Sequence, residues 1–362
     1  AQLLIIIGVV LQDVVADAMS TEVVDRVNPD GSGRPKADIE RELGMVQVLG
    51  RLALSFGIFS VAGLSGLLAK FYSYETVFLI GLAIPVISAT GAMLVRLAPV
   101  PVKPLDWRIV GSGLAFGAVV AVIGLYGVPL GQELIFAISM AVVCALLVRV
   151  VGDMPAEAKR KIFFAALIIF AFRSTPGVGE GYRWFTIDVL GFDEAFFGTL
   201  AQIAAALAIA GTWLLSDAIT RRPVATVLLW LTVLITVLSL TNIALVYRAD
   251  LWTEETFGFG ARTIAVIDAA ASSPFAQLSM IPMLTLIAIH APAGRRATWF
   301  ALMASLMNLA LVAGQLQTKY LNQIFSVDRG QYADLPLLVV VAVVIGFVVP
   351  VAAIIAFGRR AT

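Results

Sequence analysis

Long, unbroken stretches of apolar residues dominate the chain, and short polar segments separate them. The stretches run for about 20 residues or more, which is the length a helix needs to cross a hydrocarbon core about 30 Å thick. They are continuous rather than alternating, so they predict membrane helices and not the strands of a barrel. The predicted spans are eleven, at residues 2–24, 44–69, 75–97, 107–128, 132–152, 161–182, 195–217, 223–246, 262–290, 297–320 and 335–358.

The composition supports a location in a membrane. Hydrophobic residues make up 60% of the chain and charged residues only 14%, whereas soluble domains carry about 25% charged residues. The single cysteine, Cys144, excludes an intramolecular disulfide. The chain starts inside an apolar run without a basic segment or a cleavage site, so we interpret its start as a truncated N-terminus rather than a signal peptide. We expect a multi-pass protein of the bacterial inner (plasma) membrane.

Lysine and arginine are unevenly distributed between the two sets of loops. If the first span runs from outside to inside, 17 of the 25 basic residues lie on the inner side and six on the outer side. Inner loops normally carry this excess, so the asymmetry predicts that orientation. Because these residues lie in loops, they give no reason to expect a nucleic-acid partner. The longest inner loop, residues 25–42, mixes both signs of charge with glycine and proline, and we predict a solvated, mobile connector.

One inner loop carries a motif. The segment LLSDAITRRP places Asp217 before Arg221 and Arg222, between two spans. It resembles the loop motif of the major facilitator superfamily, in which the acid and the arginines clamp neighbouring helix ends between the second and third helices of a six-helix half. Counting from this motif predicts the last three helices of an N-terminal half at residues 1–98, an inserted helix pair at 99–158 and a complete six-helix C-terminal half at 159–362.

Charged side chains within the spans are the candidates for function. In this register, the first and fourth helices of each half line a central cavity, because related halves rock about a site at their interface. A charge at the bilayer centre costs about 2.5–3.5 kcal/mol on insertion scales, so each one needs a partner or water. The polar residues on the presumed cavity helices are Asp13, Asp17, Arg173, Glu180, Asp268 and Gln277.

The first two carboxylates have alternative interpretations. Asp13 and Asp17 are four residues apart and therefore share one helical face. Two carboxylates this close repel each other, which favours protonation of one of them and suits proton coupling. Alternatively, Asp17 and Arg51 lie at a similar depth on consecutive helices and form a structural ion pair. Glu22 is either a solvated helix end or part of the same cluster.

The later charges differ in how strongly they point to function. Arg173 lies at mid-span, one turn before the break at Thr175 and Pro176, and we interpret it as functional. Glu180 and Asp268 are placed equally well in the cavity or in the outer water. The sequence shows no nucleophile–base arrangement, metal-ligand cluster or phosphate-binding loop, and the glycines of GVGEGY lack the spacing of a dinucleotide fingerprint. We therefore expect no enzymatic activity, no cofactor and no bound metal.

Three ordered segments resemble the folate–biopterin transporter family, a branch of the major facilitator superfamily. QDVVADAMSTEVVDR is similar to its fourth-helix signature, STPGVGEGYRWFTIDVLGF to its first C-half helix, and IPMLTLIAIHAPAGRRATWFALMASLMNL to its proline-containing fourth C-half helix and the run that follows. The matching residues are Asp13, Val14, Val15, Asp17, Ala18 and Glu22; Thr175, Pro176, Gly177, Leu190, Gly191, Phe192 and Gly198; and Pro282, Pro292, Gly294, Thr298, Phe300, Ala301, Leu302, Ser305 and Asn308.

The resemblance implies transport of folates, pterins or related organic anions, driven by protons, by a monomer in the bilayer. A carboxylate can accept two parallel hydrogen bonds from the edge of a pterin, and arginine suits the carboxylates of a folate tail. We therefore assign Asp13 and Asp17 to the ring edge or the proton, and Arg173 to the anion. The alternatives are a transporter of an unrelated organic anion and a non-transporting assembly or pigment-handling factor of the same fold.

Overall fold

The computed structural model describes residues 2–28, 30–94, 107–292 and 295–361. Over this part of the chain the structure is helical, apart from two isolated β-bridges in loops. The helices are α1 (Gln2–Glu22), α2 (Lys36–Phe71), α3 (Tyr74–Gly81), α4 (Ala83–Leu94), α5 (Trp107–Leu125), α6 (Gly131–Val150), α7 (Ala156–Arg173), α8 (Gly179–Asp188), α9 (Glu194–Thr220), α10 (Val224–Val246), α11 (Ala249–Phe257), α12 (Ala261–Ile289), α13 (Arg296–Ile324) and α14 (Leu335–Ala361).

The predicted all-helical, multi-span architecture is confirmed. Within the described residues, eight helical stretches are long and apolar enough to cross a membrane, and each corresponds to a predicted span. The other three predicted spans correspond to α1, to α5 and to the α7–α8 pair. The prediction of a mobile connector over residues 25–42 is wrong in its second part, because α2 begins at Lys36. Glu42 in that first part of α2 forms an ion pair with Arg34 in the preceding loop.

The break in the sixth predicted span, residues 161–182, has a local cause. Proline disfavours a helical conformation at the residue before it, so Pro176 stops α7 near Arg173. Gly179, which has φ = +76°, then allows the chain to turn into α8. The chain is therefore non-helical between Arg173 and Gly179, at the position where the sequence predicted a break.

Helix α13 holds this break in place. Gly314 packs directly on it, and a Cβ at that position would lie 2.6 Å from the Thr175 carbonyl oxygen. Gln317 donates a hydrogen bond to the Ser174 carbonyl at 2.7 Å, and the Gly177 N–H donates to the Thr318 hydroxyl at 3.0 Å. The backbone groups released by the broken helix are thus satisfied by a neighbouring helix, as the membrane interior requires.

Helices α7 to α14 form a packed group that we call the C-terminal bundle, residues 156–361. Its core contains fully buried large side chains, among them Trp299, whose indole N–H donates to the Ile287 carbonyl at 2.8 Å. Helices α9 and α12 cross closely at Gly211, where a Cβ would lie 2.4 Å from Cβ of Pro274. Small residues at helix crossings allow backbones to approach in this way.

Helix α2 joins the N-terminal segment, residues 2–94, to the C-terminal bundle. It packs against α9 and α12, and a Cβ at Gly44 would lie 3.2 Å from the Thr220 methyl group. Farther along α2, Val48 is buried with Leu231 and Leu278. Gly44, Thr220 and the C-terminus of α12 lie at the end of the structure that the charge asymmetry assigns to the cytoplasm, and we call it the inner end.

The predicted inserted pair, α5 and α6, contacts the C-terminal bundle through α13. The Glu133 carboxylate accepts hydrogen bonds from Lys319 at 2.7 Å and from the Tyr320 hydroxyl at 2.8 Å. These contacts fix α6 to the outer end of α13. The division of the chain into two related halves and an insert stays a prediction.

Candidate anion-binding site and inner closure

Arg173, the last residue of α7, is half-buried where α7, α12 and α13 meet. Its Nε donates to the Met307 carbonyl at 3.3 Å, and its Nη1 donates to Sδ of Met280 at 2.8 Å. Both acceptors are neutral. No carboxylate of the described residues forms a salt bridge with Arg173, so its positive charge is held in the protein without a local counter-charge in that set.

A second arginine lies nearby. Arg51 of α2 is close enough to Arg173 for the two charges to repel each other. One turn farther along α2, Ser55 is buried and its hydroxyl has no hydrogen-bond partner among the described residues. Because α2 belongs to the N-terminal segment and α7 to the C-terminal bundle, the repulsion between the arginines acts between these two parts of the chain. An anion bound beside Arg173 would lower the cost of burying its charge.

The predicted acids of α1 are only partly described. Asp13 is exposed, and its neighbour Gln12 donates a hydrogen bond to the Ser88 hydroxyl of α4 at 2.8 Å. The side chain of Asp17 lies outside the described residues, so its ion pair with Arg51 stays a prediction. The same holds for the side chain of Gln277 on α12.

The residues predicted on the broken helix are also placed. Thr175 and Pro176 directly follow Arg173 and rest on α13, as described above. Glu180, in the first turn of α8, is exposed. Asp268 does not join the arginines: it lines a separate cavity of about 220 Å³ with residues of α8, α9 and α10.

Glu22 forms an ion pair at the inner end. Its carboxylate lies 2.6 Å from Nη1 of Arg296, the first residue of α13. Arg26 lies close to both groups, and burial, with a smaller contribution from Arg296, lowers its pKa. The pair connects the N-terminal segment to the C-terminal bundle, and next to it Val24 is buried in the same core cluster as Trp299.

Reversing the charge of Glu22 is expected to loosen the inner end. Glu22→Arg removes an attraction worth about 1 kcal/mol and adds a repulsion, so the ratio of open to closed molecules rises at least about five-fold. The measurement is the rate at which a membrane-impermeant thiol reagent modifies a cysteine at Thr220, in a Cys144→Ser background. The double variant Glu22→Arg/Arg296→Glu should restore the slow rate.

The control for this prediction is Glu157→Arg. Glu157 pairs with Lys161 within α7, so its reversal changes the same charge without affecting the contact between the two parts of the chain. If the double variant stays as fast as Glu22→Arg, the ion pair does not hold the inner end closed.

The loop motif LLSDAITRRP, residues 214–223, lies beside a cavity of about 300 Å³ at the inner end. Asp217 and Arg221 form an exposed pair, 2.9 Å apart, within one turn. Arg221 and Arg222 line the cavity together with Pro282 of α12 and with residues of the first turns of α2, among them Lys36 and Arg41. The loop is therefore adjacent to the helix ends that the motif predicts it to clamp.

Two further predicted positions lie near α12 and α13: Pro292 follows α12, and Asn308 is exposed on α13. Gly294 lies outside the described residues. His290 ends α12, where its Nε2 lies 3.0 Å from the Ala361 carbonyl oxygen, and burial lowers its pKa. The histidine thus contacts the end of α14.

Several contributors were not identified from the sequence. Sδ of Met280 and the carbonyl of Met307 accept hydrogen bonds from Arg173, but a methionine in a sequence does not indicate such a role. Gly314 carried a usable signal, because a glycine inside a long helix often marks a close backbone approach. The partner of Glu22, Arg296, is too distant in the sequence for any local pattern to indicate it.

The sequence of the whole chain decides the family. The family model described as the BT1 family matches residues 2–360. The chain belongs to the BT1 family. This confirms the resemblance to folate–biopterin transporters and, with the eight candidate spans, makes the protein a multi-pass integral membrane protein.

Two further comparisons add individual relatives of this BT1-family protein. It is 29% identical over 190 residues to the folate-biopterin transporter of Synechocystis sp. (strain ATCC 27184 / PCC 6803 / Kazusa), a match that covers 51% of this chain and 37% of that protein. The chain therefore spans little more than a third of the length of that relative. A crystal structure of a bacterial homologue of the iron transporter ferroportin, in an outward-facing state, aligns with 98% of this chain and 89% of its own at 14% identity and a TM-score of 0.39.

Proposed function

We propose that the protein is a secondary active transporter of a folate, a pterin or a related organic anion, and that Arg51 and Arg173 form its anion site. One observation carries the proposal: among the described residues Arg173 is held by neutral acceptors, and the charge of Arg51 in the other part of the chain acts on it. Arginine is weakly hydrated for a cation and binds carboxylates in a bidentate manner, so it suits this position. The name of the Synechocystis relative supports the substrate class.

The two ends of such a substrate have different requirements. The carboxylates of a folate tail need cations, whereas the amino and ring N–H groups of a pterin need an acceptor. Asp13 and Asp17 of α1 are the carboxylates we assign to the ring edge or to a proton. A biopterin has no carboxylate tail, so it would rely more on the acids and less on the arginines.

Alternating access requires one end to open while the other closes. At the inner end, α2 packs on α9 and α12, and Glu22 contacts Arg296. At mid-depth, Arg173 directly precedes the break between α7 and α8, so a change in the angle of the break moves the arginine. We assign closure to the inner contacts and reorientation to the break, within a major facilitator arrangement of two halves and an inserted pair.

The experiment is uptake of radiolabelled folate and biopterin into proteoliposomes that contain the purified full-length protein, with and without an imposed proton gradient. We expect uptake above that of empty liposomes, and stimulation by an inward proton gradient. Uptake without stimulation would contradict proton coupling but keep the transport function. Well-folded protein that takes up neither compound, and whose uptake assay remains negative for other organic anions, would indicate the non-transporting role.

A further inference from the structure

Asp268 of α12 lies inside the C-terminal bundle, away from the two arginines. The cavity that holds its carboxylate has a volume of about 220 Å³ and is formed by α8, α9, α10 and α12. Apolar and aromatic side chains provide much of the lining, including Phe192, Phe197 and Leu200. Asp268 forms no salt bridge with any lysine or arginine of the described chain. A half-buried carboxylate without a cation in a membrane helix points to a functional group rather than to a structural pair.

The carboxylate has two polar neighbours of different kinds. The Thr241 hydroxyl of α10 and the Tyr182 phenol of α8 both lie close enough to Asp268 to interact with its carboxylate. Tyr182 in turn donates a hydrogen bond to the Asn242 side-chain oxygen at 2.8 Å. These contacts connect Asp268 on α12 to both α8 and α10.

Other charged groups near the cavity form ion pairs of their own or lie at its exposed edge. Arg262 of α12 pairs with Asp193 at 3.0 Å, and Arg248 pairs with Asp250, at the start of α11, at 3.1 Å. Arg183 of α8 lines the same cavity but is exposed. Apart from Arg183 and Tyr182, the described residues that α8, α9 and α10 contribute to the lining are neutral.

We infer that Asp268 is a proton-binding site in a partly open cavity of the C-terminal bundle, physically separate from the anion site. A proton from the outer water converts the carboxylate into a neutral carboxyl group, whose O–H can donate a hydrogen bond. The negative charge beside the Tyr182 phenol disappears at the same time. Proton occupancy therefore changes the electrostatic interaction between Asp268 of α12 and Tyr182 of α8.

The site has a short connection to the arginines. Tyr182 lies in α8, and the non-helical segment between Gly179 and Arg173 links α8 to α7. A change in the electrostatic interaction between Tyr182 and Asp268 therefore acts on the element that positions Arg173. This coupling step rests on the proposed transport function, whereas proton binding at Asp268 does not.

Proton binding is tested by infrared difference spectroscopy of the purified protein in liposomes, between low and high pH. The signal is the C=O stretch of a protonated carboxyl group in an apolar environment. Asp268→Asn, which keeps the shape of the side chain and one of its oxygens, should lose the part of this signal that Asp268 contributes, and Asp268→Glu should retain it at a shifted position. Glu255→Gln, which removes an exposed carboxylate of α11, should leave it unchanged.

Coupling is tested separately by comparing gradient-driven uptake with exchange of labelled for unlabelled substrate at equilibrium. Asp268→Asn should reduce gradient-driven uptake to the level seen without a gradient while exchange persists. A carboxyl signal of undiminished intensity in Asp268→Asn would overturn the proton site, whatever the substrate. A signal lost in Asp268→Asn, combined with gradient-driven uptake equal to that of the parent protein, would overturn its link to Arg173. Failure of the parent protein to transport folate or biopterin would contradict the proposed function and would leave the infrared result unchanged.

Discussion

Arg173→Gln is expected to lower the initial rate of folate uptake at least about 30-fold. The proposed pair consists of Arg173 and a carboxylate of the bound folate. Removing one member of a buried, hydrogen-bonded charge pair costs about 2 kcal/mol or more, and 1.4 kcal/mol corresponds to about a factor of ten. The glutamine keeps hydrogen-bonding capacity toward the Met307 carbonyl but removes the positive charge next to Arg51. Arg173→Lys should recover only part of the rate, because an ammonium group cannot bind a carboxylate in a bidentate manner.

The matched control is Arg329→Gln, at the outer end. Arg329 is exposed and lies 3.4 Å from Asp188, a surface pair whose loss should change the rate by less than about five-fold. Initial rates and the equilibrium binding of labelled folate, measured on the same preparations, separate loss of binding from loss of movement. Unchanged binding and uptake in Arg173→Gln would remove this arginine from the anion site.

Gly314→Ala is expected to destabilise the protein by about 1–3 kcal/mol, the range for an overpacked core. The added methyl group would lie 2.6 Å from the Thr175 carbonyl oxygen, and a backbone atom cannot turn aside as a side chain can. Relief of the clash therefore requires α13 to move away from the break between α7 and α8. Since Arg173 directly precedes the break, uptake should fall together with stability.

Gly346→Ala provides the matched comparison. Gly346 also lies within a long helix, α14, but nothing approaches the position of its Cβ within 4 Å. The substitution should be neutral or stabilising by up to about 1 kcal/mol, because alanine favours helix. The measurement is the temperature at which each variant loses its monodisperse peak in size-exclusion chromatography after heating. Equal temperatures for the two variants would show that the break tolerates movement of α13.

The described structure follows the sequence-based expectations for the individual helices closely. Within a bilayer each helix must satisfy its own backbone hydrogen bonds, so a long apolar run is sufficient to place a span. The break after Arg173 was equally local, because Pro176 acts on the residue before it. The start of α2 was the main difference: its first turns are charged, and the ion pair between Arg34 and Glu42 stabilises helix where composition indicated a mobile loop.

The candidate site was predictable only in its parts. Arg51 and Arg173 were recognisable as charges in apolar spans, and Asp268 was expected on the same cavity because of its helix. In the structure Asp268 is oriented toward Thr241 and Tyr182 instead. Membrane helices that are apolar around most of their circumference carry little information about which face meets which neighbour. The orientation of a helix about its axis is therefore set by packing.

The sequence by itself determined the helical class, the approximate spans, the break after α7 and, through motifs spread along the chain, the membership of the BT1 family. These properties depend on local backbone chemistry, on apolar length or on direct comparison of residues. Only the tertiary structure decided that the charge of Arg51 acts on Arg173, that Glu22 contacts Arg296, and that Asp268 lies in a separate cavity. These contacts join residues far apart in the chain, and they depend on which faces of the helices pack together.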